Sequence, residues 1–314
     1  MENPTHQIGL FLEQQLGSWP MARQNYLGLS KVLVKSVMFD GFEVKVQFNP
    51  ERIRSSAANV DAKAISERPC FLCGHHLPPE QMRQPWGNGY QLLVNPFPIF
   101  GQHLTVPSLS HTPQSIEGRM GDMLALAADL PDFTVFYNGA ACGASAPNHF
   151  HFQAGAKGLM PIEADFKQSE KCGWLGKMGD VDIFQWKGYL RGTVTLVSNG
   201  REELVRAFTR LSGQLQTRCP NLPEPMLNLL AYIDNGQWVL HVFPRIRHRP
   251  DCFFAQGNGQ ILISPASVDM GGFLVVPRRE DFEKMDAQRI EQIYGEVCMD
   301  DVDVSGLCRK LIDA

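Results

Sequence analysis

The sequence has little of what marks membrane, secreted or nucleic-acid-binding chains. No apolar run approaches the roughly 20 residues that a membrane-spanning helix needs. The first residues, MENPTHQIGLFLEQQ, lack the basic segment and apolar stretch of a secretory leader. Charge of one sign is not in excess: 29 Lys and Arg against 33 Asp and Glu leave a net −4. Acids and bases are mixed along the chain, which argues against wholesale binding to nucleic acid or an anionic membrane. Closely spaced cysteines are scarce. Of the eight, at 70, 73, 142, 172, 219, 252, 298 and 308, only Cys70 and Cys73 lie together. With no export signal, that pair reads as metal or redox chemistry rather than a disulfide framework, and the expected location is the reducing cytoplasm. No clear internal repeat is visible.

What is present suits a globular chain. The 314 residues are 44% hydrophobic, ample for a core, in one large domain or two medium ones. Residues 5–35 read as helix turning to strand. Lys31 to Phe48 reads as a hairpin about Asp40-Gly41, a pair that tolerates the positive φ of a tight turn. A polar loop, 49–69, carries Arg52 and Arg54. Short strands are expected at 90–95 and 103–107, a helix from about Pro113 to Leu130, then strands at 133–138 and 148–154. The second half resembles the first in layout, with strands at 181–186, 190–198, 226–233, 237–244, 260–264 and 272–277, and helices at 201–217, 280–298 and 303–312. This order predicts an antiparallel α+β fold rather than a doubly wound sheet. A boundary between Gly155 and Trp174 divides it into 1–165 and 166–314.

The segment Phe136 to Gly155, FYNGAACGASAPNHFHFQAG, holds the chemistry. His149, His151 and Gln153 alternate, so on a strand they share one face while Phe150 and Phe152 face a core. A chance His-x-His on a strand is not rare. The small residues before it, Gly139, Gly143 and Ser145, add close backbone approach and amides that could cradle phosphate oxygens.

This segment resembles the active-site motif of the galactose-1-phosphate uridylyltransferases: an Asn, here Asn138, a Gly-Ala stretch, Gly-x-Ser-x-Pro, then His-x-His-x-Gln. Asn148 to Gln153, NHFHFQ, is also similar to the motif of the GDP-hexose phosphorylases. Both are branches of the histidine-triad superfamily, and the resemblance implies two histidine-triad-like halves of antiparallel sheet with flanking helices. It covers residues 45–155 well and 226–283 loosely. It implies that His151 is a nucleophile attacking the α-phosphorus of a nucleoside diphosphate sugar, with a nucleotidyl-histidine intermediate. Gln153 would steady a non-bridging oxygen. Gln where hydrolytic members usually carry His implies transfer over hydrolysis. Asn138, Gly143 and Ser145 would meet the phosphates. The acceptor would be phosphate or a sugar 1-phosphate, and the superfamily's habit of pairing subunits through sheets implies a homodimer unless the second half takes that surface.

Cys70-Phe71-Leu72-Cys73 is similar to a zinc-binding C-F-L-C of the uridylyltransferases. The resemblance implies that His111 and His149 complete the set. Two thiolates and two imidazoles close a tetrahedron, so such a zinc would be structural. His75 and His76 are alternative ligands or solvated loop residues. Pro50-Glu51-Arg52 matches a Pro-x-Arg segment that the resemblance places on the phosphates, and Arg54 matches with an offset of one. His103, in GQHLTVP, reads as fold support. The run Arg245, Arg247, His248 and Arg249 could meet a substrate phosphate but reads better as a solvated loop. Arg278, Arg279 and Glu280 read as surface, with closing the site as the alternative. The tryptophans and most methionines read as core. Cys142 is the thiol whose modification would disturb activity. Two other readings stand beside the sugar-nucleotide enzyme: a dinucleoside tetraphosphate phosphorylase, and a nucleotide-binding protein without turnover. A hydrolase with an open zinc site is a further one, requiring that one proposed ligand be absent from the metal.

Overall fold

A computed structural model describes residues 4–53, 65 and 67–313. Its centre is a ten-stranded sheet. In chain order the strands are β3 (Gln84–Trp86), β4 (Tyr90–Val94), β5 (His103–Pro107), β6 (Phe133–Asn138), β7 (His151–Ala156), β8 (Cys172–Met178), β9 (Val181–Trp186), β10 (Val194–Ser198), β11 (Leu227–Asp234) and β12 (Gln237–Pro244). They lie in the order β3-β4-β5-β7-β6-β11-β12-β10-β9-β8. The first five strands and the last five therefore follow one pattern, mirrored about the antiparallel pair β6 and β11. A second sheet holds β1 (Leu33–Phe39), β2 (Phe42–Phe48) and β13 (Phe273–Val276). Each face of the ten-stranded sheet carries its own apolar cluster.

Helices lie on both faces, joined on one of them by the small sheet. Their ranges are α1 (Pro4–Ser18), α2 (Pro20–Gly28), α3 (Met120–Asp129), α4 (Pro161–Gln168), α5 (Arg201–Gln216), α6 (Asp251–Phe254), α7 (Ser267–Met270), α8 (Arg279–Lys284), α9 (Ala287–Val297) and α10 (Asp301–Ile312). One cluster joins α1, α3, α5 and α10 to side chains such as Val135, Tyr137, Phe150, Phe152 and Leu229. The other joins Phe136, Leu230 and Phe243 to β2, β13, α4 and α9. Helix α5 shows why this works. Leu204, Ala207, Phe208, Leu211 and Leu215 recur every three or four residues and are buried, and Glu202 and Glu203 suit its positive N-terminal end.

The α+β expectation holds, with differences that have physical causes. β13 runs parallel to β2, so one pairing is not antiparallel. Helix α3 begins at Met120 rather than near Pro113, because Gln114 and Ile116 are held elsewhere: the Gln114 side chain bonds Asn138 and His151, and the Ile116 amide donates to Glu224. Residues 260–264 form no strand, although Ile261 and Ile263 are buried. β8 is an addition to the expected strands. It is an edge strand with two glycines and an irregular register between Trp174 and Gly176, so its sequence carries no alternating pattern. Arg54 lies outside the described residues. Among the described residues, no helix is long and apolar enough to cross a membrane.

Candidate active site

A cavity of about 370 Å³ opens on the face of β7 that carries His151 and Gln153. Volumes of this order suit a small-molecule ligand. Six expected residues meet there: Arg52, Asn138, Gly143, Ser145, His151 and Gln153. The first half supplies most of the wall. The second half closes it with Ser264, Ala266, Val268, Asp269 and Val275.

The strand begins at His151, so His149 precedes it and does not share its face as alternation suggests. His149 is turned to the cysteines instead. Its Nδ1 lies 3.2 Å from Cys70 Sγ and 3.6 Å from Cys73 Sγ, and its Nε2 donates to Ser108 O at 2.8 Å. His111 Nδ1 is 3.1 Å from Cys73 Sγ, and all four candidate ligand atoms lie within 4.8 Å of one another. Tetrahedral zinc with S and N ligands sets neighbouring ligand atoms roughly 3.3–3.8 Å apart. The four residues therefore fit a metal ion. The bond from His149 to Ser108 is the outer contact that fixes a ligating imidazole's tautomer. His76 instead bonds its ring nitrogen to Cys70 O, and His75 rests against His76.

His151 is tightly specified. Its Nδ1 lies 2.9 Å from His149 O, a carbonyl that only accepts, so Nδ1 carries the proton and Nε2 keeps its lone pair. Burial pushes its pKa down to about 4, so the ring is neutral near pH 7. The Gln114 amide clamps the strand start: it accepts from His151 N–H at 2.8 Å and donates to the carbonyls of Asn138 and His151.

Two side-chain amides flank this imidazole. The Ile99 N–H donates to His103 Nδ1, so His103 carries its proton on Nε2 and donates to Gln153 Oε1 at 3.0 Å. Burial pushes His103 down to about 3, which keeps it neutral. Asn95 Nδ2 also lies 3.5 Å from that oxygen. Gln153 is thereby left with its NH₂ uncommitted. His103 is thus more than fold support. Asn138 is held the same way: its Oδ1 accepts from Ser267 N–H at 2.7 Å and Asn228 Nδ2 at 3.1 Å.

The glycine-rich turn divides in two. Its start is committed: Gly139 N–H donates to Leu227 O and Ala140 N–H to Glu224. The residues of its later part that line the cavity are Gly143 and Ser145. Gly143 has φ +96°, and a Cβ there would sit 2.7 Å from Ala266 Cβ, so only glycine fits. Arg52 donates to Phe97 O at 2.8 Å beside the cavity, and burial lowers its pKa to about 10. Arg68, which carries no local sequence signal, also lines it and donates to Ser145 O at 2.6 Å.

Several expectations are corrected. Cys142 is fully buried and burial pushes its thiol up to about 12, so it is a poor target for modification. Arg245 is not solvated: it is buried and donates to five carbonyl or amide oxygens. Arg278 is half-buried and bonds Asp281 and Gln260 away from the cavity. Trp19 is buried as expected and also lines the cavity, with the more exposed Met21 and with Phe71, Leu72 and Leu77.

Two family models match the chain. One, described as Domain of unknown function (DUF4922), spans residues 11–156; the other, GDPGP1-like, C-terminal domain, spans 166–313. No curated protein matches by sequence. The crystal structure of yeast Ap4A phosphorylase Apa2 is similar with a TM-score of 0.62 at 15% identity, over 90% of this chain and 97% of that one. Its complex with Ap4A gives 0.57 at 16%, over 90% and 97%. At such identity the likeness is one of fold.

Proposed function

We propose that this chain, whose fold is that of the two-domain phosphorylases of the histidine-triad superfamily, transfers a nucleotidyl group through a covalent intermediate on His151. The donor is a nucleoside diphosphate sugar. Residues 1–165 act as the catalytic half, and 166–314 complete the substrate site. The observation that carries this reading is a neutral, buried imidazole whose Nδ1–H is engaged, set between two amides whose oxygens are engaged.

The steps follow from that arrangement. The Nε2 lone pair attacks the α-phosphorus. A P–N bond forms, the bond to the bridging oxygen breaks, and sugar 1-phosphate leaves with the electron pair. The ring gains positive charge, which the His149 carbonyl stabilises through Nδ1–H. The NH₂ groups of Gln153 and Asn138, with the turn at Gly143 and Ser145, donate to the non-bridging oxygens. Arg52 and Arg68 supply positive charge to the diphosphate. The acceptor, inorganic phosphate or a sugar 1-phosphate, then attacks the same phosphorus and frees Nε2. Gln153 has no acidic proton to shuttle to water, which suits transfer. The apolar wall of Trp19, Leu72, Leu77 and Phe97 suits a nucleobase. Cys70, Cys73, His111 and His149 would hold zinc, which with four protein ligands would brace the Cys loop against the start of β7.

A dinucleoside tetraphosphate is the second reading, favoured by the likeness to the yeast Ap4A phosphorylase. Incubation with ADP-, GDP- and UDP-glucose and with Ap4A, each with and without inorganic phosphate, separates them. Phosphate-dependent formation of a nucleoside diphosphate and glucose 1-phosphate from one sugar nucleotide is expected. Nucleoside monophosphate released at the same rate without phosphate would contradict transfer.

A further inference from the structure

Among the described residues, the second half contributes Ser264, Ala266, Val268, Asp269 and Val275 to the cavity wall. Its less visible contribution is a chain of hydrogen bonds whose polarity is forced. A guanidinium only donates. Arg245 is buried and held by the carbonyls of Val297, Pro265, Arg247 and His248 at 3.0–3.1 Å, and its remaining contact is with the Asn228 side chain. The atom of Asn228 facing it must therefore be Oδ1. That turns the Asn228 NH₂ to its other neighbours, Asn138 Oδ1 at 3.1 Å and Cys142 O at 2.8 Å. An NH₂ group also only donates, so the Asn138 atom facing it must be the oxygen. The Ser267 N–H, donating to the same oxygen at 2.7 Å, enforces the same choice. Asn138 is left with its NH₂ uncommitted, on a residue that lines the cavity.

We infer that Asn228 is a positioning residue for nucleotidyl transfer: it fixes which end of the Asn138 amide faces the substrate. The inference rests on the reading of Asn138 as a phosphate-oxygen donor. Without Asn228, the amide oxygen of Asn138 is held by Ser267 alone, so the amide is fixed less firmly and can turn its oxygen towards the cavity, where it opposes a phosphate oxygen instead of donating to it. Asn228 sits in β11, opposite Asn138 in β6, so the relay crosses the junction between the two halves. Gln153 is outside it, because its orientation comes from His103 and Asn95.

This independence makes the inference testable by coupling. The rate of adduct formation is measured by intact mass with whichever of GDP-, ADP- or UDP-glucose or Ap4A labels the wild-type protein. Asn228→Leu and Asn138→Ala are each expected to slow the step roughly 10-fold or more, in line with the loss of one charge-stabilising donor. The double variant should match Asn138→Ala within about 2-fold, whereas Asn228→Leu combined with Gln153→Ala should show the product of the two losses. Asn228→Asp serves if the leucine variant does not fold. It keeps the bond to Arg245 but presents an acceptor to Asn138, and it should show the same coupling. Full multiplication of the Asn228 and Asn138 effects would overturn the inference and leave Asn228 as a brace for the turn at Cys142. Wild-type protein that forms no adduct contradicts the transfer reading instead. The same matrix, read as AMP, GMP and UMP affinity by calorimetry, then decides the coupling.

Discussion

One rung of paired residues crosses the large sheet and shows how the two halves differ. It reads Leu93, Thr105, Gln153 and Phe136 in the first half, then Leu230, His241, Thr195 and Phe184 in the second. The strand order is the same outward from the centre, so Gln153 corresponds to His241 and His151 to Val239. The four first-half residues all line the cavity. In the second half the equivalent face is filled. Phe166 of α4 packs 5.5 Å from the His241 ring and 5.3 Å from that of Phe184. His241 has both ring nitrogens engaged, with Thr195 Oγ at 2.7 Å and Tyr232 Oη at 3.2 Å, and Trp186 donates to Thr195. One scaffold thus carries an open face with an imidazole lone pair and a closed face whose histidine is fully bonded. A buried histidine on a strand is not a site by itself: chemistry needs an unengaged nitrogen and space in front of it.

The comparison breaks most sharply at the two corresponding positions. His151→Ala should abolish transfer, a loss beyond about 1,000-fold in phosphorolysis rate. Val239→Ala should leave that rate within a few-fold and lower the melting temperature, since it removes buried methyl groups. Comparable activity losses in both would contradict the assignment of chemistry to the first half.

The next effect concerns the metal. Cys70→Ser should lower bound zinc and melting temperature together, because metal binding and folding are linked. Wild-type protein purified free of metal yet equally stable would contradict the zinc site.

Smaller effects sharpen the contrast between two buried histidines of the sheet, His103 and His241. His103→Ala should lower kcat about 10-fold with little change in KM, because Gln153 loses the donor that orients it, and His103→Asn should restore part of the loss. His241→Gln should leave kcat unchanged and alter acid stability instead. Burial holds His241 down at about 3, while an unfolded histidine titrates near 6.5. Between those values the unfolded chain binds the extra proton. Stability is therefore lost as pH falls from about 6.5 towards 3, by up to about 1.4 kcal/mol per pH unit for this group. Melting temperatures at pH 7.5 and 5.5 should fall less in His241→Gln than in wild type. An equal fall would mean that His241 does not contribute.

Much of the candidate site was legible, in that the residues expected together do meet at one cavity and one Cys-His cluster, because they sit in short segments with distinctive spacing. His-x-His-x-Gln, the Cys pair and the glycine turn carry their meaning within a few residues, and the resemblance points to His111. The strand pattern also puts Phe150 and Phe152 in the core, where they lie. The misplaced and the missed residues depend on distant partners. Arg245 reads as one of a basic run, but Asn228, Pro265 and Val297 enclose it, up to 52 residues away. Gln114 gives no local signal, since its partners at 138 and 151 come together only through sheet pairing. Asn228 is a polar residue set in the apolar run at the start of β11, and its partner Asn138 lies 90 residues earlier. Trp19 and Phe71 reach the cavity only because α1, α2 and the Cys loop converge on it.

The most direct test of the covalent account is intact-protein mass after brief incubation with each sugar nucleotide and with Ap4A, without phosphate. The account predicts an added nucleoside monophosphate that is absent in His151→Ala and lost when phosphate is supplied. Phosphate-dependent turnover with no adduct under any quench, or an adduct that persists in His151→Ala, would contradict it.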